Sequence, residues 1–343
     1  MPVISTDPLK LAAAADFLIG DALAVQKGEV VVLTADTSTD PDAINALMRA
    51  TARVGGLATT VTIPQLPYQG ALSDPYIPEP LVEAVRRCDV WLDLTFPYMA
   101  GAHAHDQAIK GRRVRFMNVA DLGAIGLTRI WGGADFDKLF AVQSALDDLF
   151  AASTGKTARV TTSKGTDVTF TLAKPTTRKL RQTNVPGSYS PAGSAVIYPE
   201  PDSVKGVVYI EGVFHEYFTL LPNPIGIHVD GPIQRIEGAG VDRHLFERAL
   251  RRASGGDYGK IIHFSHGFHP AARVSGRSFV ESIRSAGSDA VGFGKPWWEE
   301  GGGENHPDGV ITSHSLWIEG EPITDHGRIV KPGIAELEAA LYD

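Results

Sequence analysis

Through its first 150 residues the chain alternates short apolar runs with longer stretches whose apolar positions recur every three or four residues. Four runs read as strands: GEVVVLTAD (28–36), the apolar β-branched run of a buried strand, then ATTVTIP, DVWLDLTF (89–96) and RRVRFMNV. Helical spacing marks LKLAAAADFLIGDALAV, TDPDAINALMRATARVG, EPLVEAVRRC, AHAHDQAIKG and DFDKLFAVQSALDDLFAAS. The second of these opens on Asp40-Pro41 and stops at Gly55, the expected punctuation of a helix. Strands alternating with helices predict a mostly parallel, doubly wound sheet. Ligands of such sheets approach the carboxyl ends of the strands.

After residue 157 the pattern changes. ARVTTSKGTDVTFTLA predicts a hairpin around Lys164-Gly165. KGVVYIEGVF, GIHVDGPIQRIEG, KIIHFSHGF, SDAVGFG and GVITSHSLWIEG predict further strands. DRHLFERALRRAS and RSFVESIRSAG predict helices. The expected organisation is an α/β, Rossmann-like domain over 1–155 and an α+β domain over 156–343. ASTGKT (152–157) ends like a phosphate loop, but that loop needs a glycine where this chain has Phe150, and it should follow a strand. The stretch is read as the linker. No G-x-G-x-x-G follows the first strand, so nucleotide binding is unsupported.

Composition narrows the classes. At 343 residues and 43% hydrophobic content the chain can fill two cores. A formal net charge of -8 without any basic run argues against nucleic acid. The single cysteine, Cys88, excludes an intrachain disulfide framework, fits a reducing compartment and reads as a small buried hydrophobe. The first residues lack the pattern of a signal peptide, and no apolar run reaches a membrane-spanning length. The expectation is a soluble cytoplasmic protein with no membrane partner, assembled as a homo-oligomer.

The histidines carry the candidate chemistry. Of 11, six fall in the last 81 residues: His263, His266, His269, His306, His314 and His326. GGGENHPDGVITSH (301–314) places His306 and Asp308 two positions apart before an apolar run. In an extended segment such residues point the same way. On its own the stretch reads first as a turn cornered on Asp308-Gly309. His263, however, ends the apolar run of KIIHFSHGFHPAAR, where a side chain can point into a site. His263, His306 and Asp308 make two imidazoles and one carboxylate, a set that holds one face of Fe(II) and leaves the other open. Zinc could also occupy it. His266 and His269 read mainly as loop donors, His314 as packed and His326 as solvated. His215-Glu216 and His228 sit near strand ends. The Trp297-Trp298 pair of KPWWEE could line an aromatic pocket or pack at an interface.

HFSHGFHPAAR followed about forty residues later by HPDG resembles the 2,5-dihydroxypyridine 5,6-dioxygenases, a branch of the aminopeptidase T-like (thermophilic leucyl aminopeptidase) superfamily. The resemblance covers nearly the whole chain, including the middle segment PAGSAVIYPEPDSVKGVVYIEGV. It implies that His263 through Pro270 matches the family's His-x-x-x-Gly-x-x-Pro, and that His306 and Asp308 match its His-x-Asp. The peptidase branch carries glutamate at the position of His263, which favours a single iron over a two-metal centre. The resemblance further implies a base after the third strand, at His105 or, second choice, His103. Two departures alter the implied pocket: Tyr189 stands where the family has a histidine, and a substrate-contacting glutamate is replaced near Thr177. Arg284 is the implied counterpart of a substrate-contacting arginine.

The activity implied is Fe(II)-dependent ring cleavage of a hydroxylated N-heteroaromatic or related phenol, with dioxygen as second substrate. A base would take a ring hydroxyl proton and raise the electron density of the ring. The alternative is a metallohydrolase on Zn(II) or Mn(II), in which metal-activated water attacks and Glu299, Glu300 or Glu304 serves as base or further ligand. A non-catalytic binding protein would have no need of three convergent ligands.

Overall fold

The computed structural model describes residues 6–295 and 307–343. The chain forms two compact units, one from residues up to Ala134 with Lys179–Pro191, the other from Asp135–Arg178 with Ala192–Asp343.

In the first unit, helix α1 (Pro8–Asp16) runs on into a π-helical turn, Phe17–Ala22. Strand β1 (Val30–Asp36) leads to α2 (Pro41–Arg53), whose first turn is closed by the Asp40 carboxylate accepting from the Asp42 N–H. Then come β2 (Leu57–Ile63), α3 (Glu79–Arg87), β3 (Val90–Asp93), α4 (His103–Lys110), β4 (Arg115–Asn118) and α5 (Gly123–Gly132). β1 pairs in parallel with β2 and β3, and β3 with β4. A short seventh strand of the chain, Gly187–Tyr189 (β7), adds to β4 and completes the order β2-β1-β3-β4-β7. The core under α3 and α4 is built on Leu81, Val85, Cys88, Trp91 and Phe116. At its centre the Thr34 hydroxyl accepts from Trp91 Nε1 at 2.8 Å and donates to Asp93 at 2.9 Å. The Asp93 carboxylate also receives the Thr95 and Met99 N–H groups and the Thr95 hydroxyl. Burial pushes its carboxyl up to about 6 against those donors.

The second unit opens with α6 (Phe136–Ala152), capped by Asp135, and the hairpin β5 (Thr157–Thr161) and β6 (Asp167–Thr171). It continues with β8 (Ser194–Ile197), β9 (Lys205–Phe214), β10 (Phe218–Asp230), β11 (Ile233–Glu237), α7 (Val241–Ala253) and β12 (Lys260–Gly267). The single turn α8 (Phe279–Ser282) precedes β13 (Ser288–Gly294), β14 (Asp308–Thr312), β15 (Ser315–Ile318), β16 (Glu321–Asp325), β17 (Arg328–Ile329) and α9 (Ala335–Ala339). Among the described residues its sheet runs β17-β16-β15-β5-β6-β9-β14-β13-β12-β8, antiparallel throughout, with β10 and β11 attached at β9.

The α/β class and the parallel first sheet agree with the sequence pattern. The division of the chain falls elsewhere than at 155. Helix α6 belongs to the second unit because its buried face, with Phe136, Leu139, Leu146 and Phe150, packs on β8 and α9. Lys138 Nζ also donates to the Ala340 carbonyl at 2.9 Å. The chain then returns to the first unit at 179–191 to supply β7. The helix expected around RSFVESIRSAG shrinks to α8. Among the described residues no helix is long and apolar enough to cross a membrane.

Candidate metal centre

The centre of the second sheet is where sequence and register meet. In β12, Ile261 pairs with Phe293 but His263 pairs with Gly292, so Ile262 is an extra residue bulged out of the ladder. A strand's side chains alternate faces, and the bulge shifts that alternation by one. Without it His263 would share the face of Val291; with it, His263 shares the face of Gly292. Asp308, first residue of β14, pairs with the same Gly292 from the other side. Directly opposite residues of antiparallel strands present their side chains to one face. His263 and Asp308 therefore lean toward each other, and His263 Nε2 lies 3.2 Å from Asp308 Oδ1. Both are largely buried, the side chains 15% and 4% exposed. On the far side of Asp308 its partner on β9 is Phe214, whose ring stacks on Phe279 with centroids 4.3 Å apart.

Two donors bound to one ion by bonds of roughly 2.1 Å stand about 3.0–3.4 Å apart. The His263–Asp308 separation fits that spacing, and an imidazole with a carboxylate suits iron or zinc. His306, with Trp297, Trp298, Glu299, Glu300 and Glu304, lies outside the described residues. Among the described residues no group of three or more His, Cys, Asp or Glu converges as a metal cluster.

The remaining histidines divide cleanly. His266 lies on the opposite face of the sheet from His263, fully buried, its Nδ1 3.2 Å from His314 Nε2. His314 in turn lies 3.8 Å from Asp289, whose Oδ1 accepts the Ser265 N–H. Burial pushes the Asp289 carboxyl well up, His266 well down and His314 down to about 4. All three groups are thereby biased to neutrality. His269 Nδ1 accepts from the Ala271 N–H, and its ring sits against Gly193, where a Cβ would stand 2.7 Å from that of His269. His326 is exposed in a turn. His215 is buried against Glu216, and His228 pairs with Glu237 at 2.9 Å.

Arg284 is buried, and its guanidinium donates to the Val280 carbonyl. Its own carbonyl accepts from the His269 N–H, which ties it to the loop after β12. The Thr177 hydroxyl bonds Tyr198 Oη at 2.8 Å.

In the first unit His105 lies on α4 between Trp91 and Phe116. Its Nδ1 accepts from the Gly101 N–H at 3.3 Å, which places the ring proton on Nε2, donating to Ser188 Oγ at 2.9 Å. Burial pushes His105 down to about 4, so the ring is neutral at pH 7. His103 opens α4 with an exposed ring, and its N–H donates to Asp74. Tyr189, next to Ser188 on β7, turns its hydroxyl back to the Val185 carbonyl at 2.7 Å. Ser188 and the buried His266–His314–Asp289 cluster carried no signal in the sequence beyond the alternation that buries His314.

A parallel-sheet unit and an antiparallel-sheet unit with an imidazole–carboxylate pair at its centre define the fold class. The solved 2,5-dihydroxypyridine dioxygenase of Pseudomonas putida KT2440 has the same fold, with a TM-score of 0.74 at 16% identity, over 96% of this chain and 100% of that one. Wild-type AmpT of Thermus thermophilus shares it at a TM-score of 0.63 and 16% identity, over 94% and 99%. The chain belongs to the 2,5-dihydroxypyridine 5,6-dioxygenase (NicX) family, whose sequence pattern it matches over residues 21–331. No curated protein sequence matches it.

Proposed function

We propose that the protein is an Fe(II)-dependent dioxygenase that opens the ring of a hydroxylated N-heteroaromatic acid or related phenol. The observation that carries the reading is the contact of His263 with Asp308 across the sheet, in a chain of this family. His306, two residues before Asp308, is proposed as the third ligand. Held by His263, His306 and Asp308, a bound iron would supply the activation of dioxygen.

The chain's own residues do the rest. His105 is proposed as the base. It is uncharged at neutral pH, and its Nδ1 must give up the Gly101 N–H to take a ring hydroxyl proton. Because burial disfavours its cation, the protonated ring is stable only beside the anion that it creates. Tyr189 and Arg284 are proposed as substrate contacts. Tyr189 in place of a histidine removes a donor that titrates near neutral pH, and the Tyr189 hydroxyl must leave the Val185 carbonyl to donate to a ligand. This favours a substrate whose substituents differ from those of 2,5-dihydroxypyridine itself.

The test is anaerobic reconstitution with Fe(II) or Zn(II), followed by a screen of hydroxylated pyridines and phenols with an oxygen electrode. Oxygen consumption with Fe(II) alone is expected. Turnover that runs equally well without oxygen on Zn(II) would replace the dioxygenase by a hydrolase.

A further inference from the structure

The shared partner of the two ligand strands is a glycine, and its backbone does not require one. Gly292 lies within β13, buried, and is not among the glycines with positive φ. An L side chain is therefore compatible with its conformation, and a central strand would gain from one. What a side chain at 292 would occupy is the space above the sheet between His263 and Asp308. Adjacent strands are about 4.8 Å apart, so the backbones of His263 and Asp308 are separated by about 10 Å. Their side chains close that gap to 3.2 Å by meeting over residue 292. The other interior positions of β13 carry side chains: Asp289, Ala290, Val291 and Phe293.

We infer that Gly292 is a positioning residue for the metal centre, and that the absence of a side chain there is what allows His263 and Asp308 to reach a common ion. This rests on the metal reading above and adds a residue that touches neither substrate nor ion. The bulge at Ile262 and the gap at Gly292 are complementary: one turns His263 to the correct face, the other lets it lean across.

The test uses the full chain, stripped of metal by a chelator and titrated anaerobically with Fe(II) and, in parallel, with Co(II), whose visible absorption reports binding. Gly292→Ala should weaken both ions by about 10–100-fold, and Gly292→Val should weaken them further. Metal-free thermal melting of Gly292→Ala should be unchanged or higher, because the substitution restricts the unfolded chain. A role in strand stability alone would move the melting temperature and leave affinity untouched. His263→Ala is titrated alongside. If it binds as wild type does, the metal reading fails and this inference with it. If His263→Ala loses metal while both Gly292 variants bind like wild type, the metal reading stands and the role of Gly292 is overturned. Should Gly292→Val not fold, Gly292→Ala decides.

Discussion

Thr34→Val replaces a buried hydroxyl by a methyl of nearly the same shape, at the centre of the first unit. Thr34 links Trp91 Nε1 to Asp93, and all three are fully buried. Two losses follow, and they differ in pH dependence. The indole N–H is left without an acceptor at any pH, which costs about 1–3 kcal/mol. Asp93 loses one of its donors, and a hydrogen bond to a charged group contributes about 1.5–3 kcal/mol only where the carboxyl is ionised. Burial raises Asp93 in the fold to about 6, above its unfolded range near 3.9. The stability it contributes is therefore full below about pH 4 and lost as pH rises through about 6, by roughly 3 kcal/mol in all. Losing a donor to the ionised form raises the folded value further, so the variant falls further behind wild type as pH rises. Urea denaturation followed by tryptophan fluorescence, near pH 5 and near pH 8, should give a loss of about 1–3 kcal/mol at the lower pH and about 3–5 at the higher. Thr34→Ser keeps the hydroxyl and should lose only about 1 kcal/mol at both. Equal losses for Val at the two pH values would refute the coupling to Asp93, and a Val variant as stable as Ser would refute the whole network.

His105→Ala should lower turnover about 100–10,000-fold while metal content stays at the wild-type level; parallel metal analysis separates a base from a ligand. Asp289→Asn keeps an acceptor for the Ser265 N–H and removes a carboxyl whose folded pKa is raised. Wild-type stability from this group is lost as pH rises, so the variant should gain on wild type between about pH 4 and pH 8 in paired melts. Cys88, its thiol pushed up to about 12 by burial, should not react with a disulfide reagent near pH 8 until the protein is unfolded.

Strands β1 and β3 were legible because each is buried and writes a continuous apolar run, as in Val31–Val32–Leu33, and β4 through its buried Phe116–Met117 pair. β7 was not. Gly187–Tyr189 carries no apolar pattern and is a strand only because β4 has an edge to pair. For α6 the helical period was plain, but a period states that a face is apolar and not which sheet it will cover. At the site, His263 drew notice by ending an apolar run. Its approach to Asp308 depends on a one-residue bulge and on pairing between strands distant in sequence, and neither leaves a local mark. Gly292 is similarly silent, since a glycine within SDAVGFG gives no hint of what passes over it.

The late arrival of β7 has a consequence during synthesis. Its residues follow β4 by about 70 positions, so at about 5–20 residues per second the ribosome delivers the last strand of the parallel sheet roughly 3–14 seconds after the rest. Until then the hydrogen-bonding edge of Arg115–Asn118 is open to any other strand. A fragment ended at residue 134 or 155 would keep that edge open permanently. Excised as a separate piece, the first unit is expected to aggregate unless residues 179–191 are carried with it, and a tethered copy of that segment should restore a soluble product.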